Sequence, residues 1–331
     1  MKTTVYYDND CLLHENSKDH PERRERLAEV VKALHKINDS HLFFVDRVAE
    51  AENDILRLVY SQEYIDFLKK SEPVKEGEYF ILDKGRYPEE KDENYGASAL
   101  CKGTMKSCLK GIGAVCKAVD DMKNKVTDNA FCGIRPPGHH ADLKGAYGFC
   151  FFPNAVIGAL YALKNGFKKI AILDHDVHHG NGTEDFLKGN KQVLFASIYE
   201  DEMWPYQMAK EKTVHESYDN IIKVVPKRNA PREEVMRAFD EEIVKPFEKF
   251  EPDLILISAG FDTHKNERDV PFSIHNNPVG MQNLHDEDYA HMIRSLKKIT
   301  PNVICMMEGG YNISSLVSGV VAEVKALLEQ K

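Results

Sequence analysis

Short apolar runs recur along this chain, and each ends in polar residues and glycine. Ile170-Ala171-Ile172-Leu173 and Leu254-Ile255-Leu256-Ile257 read as buried strands, as do Phe131-Cys132-Gly133-Ile134, Val303-Ile304-Cys305-Met306-Met307 and Val193-Leu194-Phe195-Ala196. Helix-like spacing fills the intervals, with one helix continuing from Glu25-Arg26 and another beginning near Ser98. Strand and helix patterns alternate throughout, without a Ser/Gly/Pro-rich linker, repeat or low-complexity run. This alternation predicts an α/β fold with helices on both faces of a mostly parallel sheet, and one domain spanning residues 1–331.

The polar residues at the strand ends carry the candidate chemistry. Asp174-His175-Asp176-Val177-His178-His179-Gly180 follows the first run. In an extended segment the side chains of Asp176 and His178 point the same way, so a carboxylate and an imidazole converge. Ser258-Ala259-Gly260-Phe261-Asp262 ends the second run and offers a third ligand. Three ligands with an open fourth position make a catalytic zinc site. Fe2+ and Co2+ also suit an Asp–His–Asp set. Arg135-Pro136-Pro137-Gly138-His139-His140-Ala141 and Glu308-Gly309-Gly310-Tyr311-Asn312 end the next two runs. All four clusters lie past the carboxyl ends of predicted strands, where open α/β sheets bind ligands.

These motifs, with Gly148 to Phe152 (GFCFF) and Asp174 to Glu184 (DHDVHHGNGTE), resemble those of the zinc-dependent histone deacetylase family. They stand in the family's order and at family-like separations, from His20-Pro21-Glu22 to Tyr311. The resemblance implies a three-layer α/β/α arginase/deacetylase fold with an eight-stranded sheet. It implies zinc ligation by Asp176, His178 and Asp262, and hydrolysis of an acetylated (acylated) amine. His140 would be the main general base and acid, assisted by His139. Asp174 and Asn181 would orient His139 and His140; Asn at 181 resembles the class II-like branch. The neutral amide orients the ring without raising its pKa as a carboxylate would. The Tyr311 hydroxyl would donate to the scissile carbonyl. Gly148, Phe149 and Trp204 would shape an aromatic channel for an aliphatic amine chain, and Asp92 would grip the substrate backbone. Asp174, Asp176, His178, Ser197 and Ile198 match a structural monovalent-cation site, usually potassium. His179 is assigned packing.

Substrate choice turns on Val279. Relatives specialised for acetylpolyamines carry a gatekeeper Glu there, and Val cannot attract a second cationic amine. This favours acetyl-lysine in a peptide or protein, with acetylpolyamine hydrolysis as the alternative. The loop 263–277 brings Glu267 and Asp269, either of which could stand in for the missing acid. A ureohydrolase with paired manganese and a non-catalytic reader of acylated lysine are further readings; the tandem histidines and Tyr311 count against them.

The 331 residues carry a net charge of −9, which disfavours a nucleic-acid groove and suits basic substrates. The seven cysteines are dispersed without paired spacing, as in a reducing compartment. No apolar leader follows Met1, and no apolar stretch approaches the roughly 18 residues of a membrane span. The expected location is cytoplasmic, without membrane association.

Overall fold

The computed structural model describes residues 1–18, 20–83, 98–201, 203–205, 218–269 and 283–330. Eight parallel strands form its central sheet: β1 (Thr3–Tyr7), β2 (Leu42–Val45), β5 (Asn129–Gly133), β6 (Ile170–Asp174), β7 (Val193–Ile198), β8 (Ile221–Val224), β9 (Leu254–Ala259) and β10 (Val303–Met307). Two short strands, β3 (Phe80–Ile81) and β4 (Ala99–Leu100), pair separately and antiparallel. The sheet is parallel at every pairing, in the order β2-β1-β5-β10-β9-β6-β7-β8.

The near-continuous apolar character of the strands follows from burial on both faces. Alternate residues serve opposite layers. Val5, Phe131, Leu173, Ile257 and Cys305 join one core, packed with the helices Glu25–Leu34, Asp286–Ile299 and Ile313–Leu328. Tyr6, Cys132, Ile172, Leu256 and Ile304 join the other, against Thr104–Lys123 and Asn154–Lys164. This is the expected three-layer α/β arrangement.

Two boundaries differ from the sequence reading. Ser197 and Ile198 are the last residues of β7 rather than positions beyond it, because β8 extends the ladder: Ser197 pairs with Lys223 and Ile198 with Val224. The helix expected from Ser98 begins at Thr104, since Ala99 and Leu100 pair with Ile81 and Phe80.

The strand order matters most for function. β5, β10, β9 and β6 are adjacent, and each carries one of the four polar clusters at its carboxyl end. Their ends are level: Asp174 lies opposite Ser258, and Met307 opposite Ala259. Clusters separated by as many as 170 residues or so in the chain thus meet on one edge of the sheet.

Candidate active site

Residues 175–180 leave the sheet as a series of bends rather than an extended strand. The cause is a relay of short side chains. Asp174 Oδ1 accepts the Asp176 N–H at 3.1 Å, and Asp176 Oδ1 accepts the His178 N–H at 3.0 Å. Each carboxylate turns the backbone two residues on, so the two-residue spacing still converges, through turns rather than through a pleat.

Asp176, His178 and Asp262 each present a ligand atom within 4.8 Å of the others. His178 Nδ1 lies 3.0 Å from Asp176 Oδ1 and 3.2 Å from Asp262 Oδ2. The other oxygens are anchored: the Gly309 N–H donates to Asp176 Oδ2 at 2.9 Å, and the Val177 N–H to Asp262 Oδ1 at 2.9 Å. Asp262 Oδ2 is buried and makes no hydrogen bond. Gly309 keeps this space open, since a Cβ there would lie 2.4 Å from both Asp176 Oδ2 and Asp262 Oδ2. Burial and the Asp176 charge raise the Asp262 carboxyl, whereas His139 and His178 hold Asp176 low against its burial. Burial opposes the charged form of His178, but its contacts with Asp176 and Asp262 prevail and raise it to about 9. Two buried carboxylates are thus drawing one positive charge between them. The orphaned oxygen and the O,N,O donor set fit a divalent cation.

His139 and His140 stand beside this cluster with ring centroids 3.9 Å apart. His139 Nδ1 meets Asp174 Oδ2 at 3.0 Å, and His140 Nδ1 meets Asn181 Oδ1 at 2.7 Å. Donation through Nδ1 leaves each Nε2 for chemistry. Their environments push them apart. Burial opposes charge on His139, but Asp176 and Asp174 carry it well above the usual imidazole range. Burial, then the neighbouring His139 and His178, carry His140 well below it. A pair split in this way supplies one charged and one neutral imidazole at the same spot. Glu308 supports the turn, accepting the Gly138 N–H at 2.6 Å and the Ser258 hydroxyl at 3.1 Å. Burial pushes its carboxyl up to about 7.

Tyr311 follows the Gly309-Gly310 turn, its ring centroid 6.1 Å from that of Phe149. Burial pushes its phenol well above the ordinary value, so it stays protonated and able to donate. Arg26 holds the turn from below, donating from Nε to the Gly310 carbonyl at 2.7 Å and from a terminal nitrogen to the Glu308 carbonyl. Sequence reasoning gave Arg26, Glu308 and Glu22 no role; Glu308 was marked by standing between an apolar run and two glycines, whereas Glu22 and Arg26 stand in a charged run with nothing to single them out.

The two aromatic side chains expected to line a channel have different neighbours. Phe149 packs edge-on to His20 at 4.5 Å, and Trp204 meets His140 at 4.6 Å and Tyr147 at 4.7 Å. Gly148 adopts φ +55°, and a Cβ there would strike Trp204 at 2.5 Å and His140 at 2.8 Å. Asp92 and Val279 lie outside the described residues. Ser197 sits level with Asp174 in the sheet, and its hydroxyl lies 3.1 Å from His179 Nδ1, with Ile198 next along the strand. His179 also meets Glu184 at 2.6 Å, so both of its ring nitrogens have polar partners.

Glu267 does not substitute for an acid at the channel mouth. It is fully buried, and its carboxylate accepts the backbone N–H groups of Tyr311 and Asn312. The cause is the short 3-10 turn Lys265–Asp269, which folds back under the Tyr311 loop. The Asp269 side chain lies outside the described part.

Among the described residues, no helix is long and apolar enough to cross a membrane. A family model for the histone deacetylase domain matches residues 20–327. Type-2 histone deacetylase 2 of Dictyostelium discoideum is 30% identical, over 99% of this chain and 21% of that protein. This chain therefore spans about a fifth of that relative's length. A probable deacetylase of Archaeoglobus fulgidus is 30% identical, over 95% of this chain and 82% of its own. The crystal structure of the HDA15 HD domain superimposes with a TM-score of 0.83 at 26% identity, covering 99% of this chain and 89% of that one. With the fold, the strand-end cluster and the motif order all in agreement, this chain belongs to the histone deacetylase family.

Proposed function

We propose that this chain is a zinc-dependent deacetylase that hydrolyses the side-chain amide of acetylated lysine in peptides or proteins. The observation that carries the reading is the buried Asp176–His178–Asp262 cluster, with Asp262 Oδ2 making no hydrogen bond, beside a histidine pair anchored through Nδ1 by Asp174 and Asn181. Held by those three residues, the cation would polarise the amide carbonyl and acidify a water molecule. His140, kept neutral first by burial, takes the proton of the attacking water and returns it to the leaving amine nitrogen. His139, bound through Nδ1 to Asp174, stabilises negative charge developing on oxygen. The Tyr311 hydroxyl donates to the carbonyl oxygen. Asp174 and Asn181 fix the two rings, and Phe149 and Trp204 border the path of the methylene chain.

The donor set also suits Fe2+ and Co2+. Asp174, Ser197 and Ile198, with Asp176 and His178, would hold a potassium ion beneath the centre. Burial of Glu267 removes one acid that could have read a polyamine's second charge, which favours the lysine reading over acetylpolyamines. Seven buried free thiols suit a reducing, cytoplasmic setting.

Acetate release should be measured from an acetyl-lysine peptide and an N-acetylated polyamine in parallel, with zinc-loaded and chelator-stripped protein. Turnover of the peptide by the loaded protein alone supports the proposal. Preference for the polyamine would shift the substrate class, and zinc-independent turnover would overturn the metal assignment.

A further inference from the structure

We propose that Glu267 is a positioning residue for Tyr311, holding the phenol in its donating place by gripping the backbone beneath it. This rests on the deacetylase reading above. Glu267 is fully buried on the 3-10 turn that follows Asp262. Its Oε1 accepts the Tyr311 N–H; its Oε2 accepts the Asn312 N–H at 3.1 Å and the Ser315 hydroxyl at 3.1 Å. One carboxylate therefore takes three donors from the segment that carries the phenol.

A plain capping role does not account for this arrangement. The helix Ile313–Leu328 already has its cap: Asn312 Oδ1 accepts the Ser314 and Ser315 N–H groups at 3.0 and 3.4 Å. Glu267 instead takes the N–H groups of residues 311 and 312, before the helix begins. Arg26 holds the carbonyls of residues 308 and 310 on the same turn. The Gly309-Gly310 pair, with Gly310 at φ +106°, has little conformational preference of its own. The turn is thus held at its carbonyls by Arg26 and at its N–H groups by Glu267. A second link joins the same two loops, since Asn312 Nδ2 donates to the Asn266 carbonyl at 2.8 Å. Asp262 and Glu267 share one short loop, so the metal ligand and the support for the phenol are set by a single piece of backbone.

The test is a double-mutant cycle of Glu267→Ala with Tyr311→Phe, read as kcat, KM and zinc content, together with amide exchange at residues 311 and 312. Glu267→Ala should lower kcat about a hundredfold, as a misplacement of about 1 Å does, with KM and zinc content retained. In the Tyr311→Phe background the same change should add no further loss. Glu267→Gln keeps a carbonyl acceptor and should restore most of kcat. Equal losses in both backgrounds, or unchanged kcat in Glu267→Ala, would overturn the positioning role. If Glu267→Ala does not fold, Glu267→Asp, which withdraws the carboxylate by one methylene, is judged by the same cycle. A parent protein inactive on every acetylated amine defeats the functional reading alone. Amide exchange then decides: faster exchange at residues 311 and 312 in the variant retains the clamp, and unchanged exchange removes it.

Discussion

Two buried charged clusters touch the same Glu308–Gly310 turn, one through Arg26 and the other through Asp176, and they are built on opposite principles. Around Glu22, every nitrogen and oxygen of the charged groups Glu22, Arg26 and Arg135 finds a hydrogen-bond partner within the chain. The carboxylate takes Arg135 through two contacts, at 2.7 and 2.6 Å, and Arg26 at 3.2 Å. Arg135 spends its remaining donors on the Cys11 and His14 carbonyls, at 3.1 and 2.7 Å. Burial raises the Glu22 carboxyl, but Arg135 overcomes it and holds the group well below the carboxylate range. Around Asp262 the bonding stays open: Asp176 and Asp262 lie against the same His178 nitrogen, and one Asp262 oxygen has no hydrogen bond. A buried cluster that closes its own hydrogen bonding holds the fold together. One that leaves like charges together and an acceptor open is shaped for a guest.

The sharpest way to break this contrast is Asp262→Asn. It should cost turnover at least about a thousandfold, roughly 4 kcal/mol of barrier, and abolish stoichiometric zinc. In metal-stripped protein the same change should leave stability equal or higher, because it relieves the repulsion with Asp176. Retained zinc and activity would place the cation elsewhere.

Glu22→Gln should do the reverse. It leaves two buried guanidinium groups short of a counter-charge, at a cost of about 3–5 kcal/mol in denaturant unfolding, while zinc content stays stoichiometric. The pH dependence follows the same logic. The folded Glu22 carboxyl is depressed from its ordinary 4.5, so its contribution is complete above that value and is lost as pH falls towards the depressed one. The parent should lose stability in that acid window more steeply than Glu22→Gln does; parallel curves would mean Glu22 is not linked to folding.

Zinc at a hundred times its dissociation constant should stabilise the parent by about 2.7 kcal/mol and Asp262→Asn not at all, measured as a shift in the unfolding midpoint. The smallest effect expected is that of Asn181→Ala. Loss of the partner to His140 should lower kcat about ten- to a hundredfold with zinc retained, and a loss of metal instead would show that Asn181 supports the cluster.

That Asp176, His178 and Asp262 converge beside the histidine pair was legible because their spacing is local or strand-bound. Asp176 and His178 are two apart, His139 and His140 are adjacent, and each set ends an apolar run. The local geometry was less legible. Residues 175–180 converge through Asx-type turns, a side-chain effect that strand periodicity does not describe. Glu267 was misread as a possible acid at the channel mouth. Its hydrogen-bond partners lie more than 40 residues downstream, and nothing in a polar stretch marks the one acid that turns inward. The Glu22–Arg135 pair, 113 residues apart, was invisible for the same reason.

By itself, the sequence determined the layered α/β class, the ends of the central strands and the ligand types at each end. Strand burial and ligand chemistry are properties of short segments, and short segments are what a sequence displays. Only the tertiary structure decided that β5, β10, β9 and β6 stand side by side, so that four distant clusters share one edge. It also decided which buried charged groups complete their hydrogen bonding and which leave an oxygen open. Pairing order and charge balance are sums over contacts between remote segments, and they exist only once the sheet has closed around them.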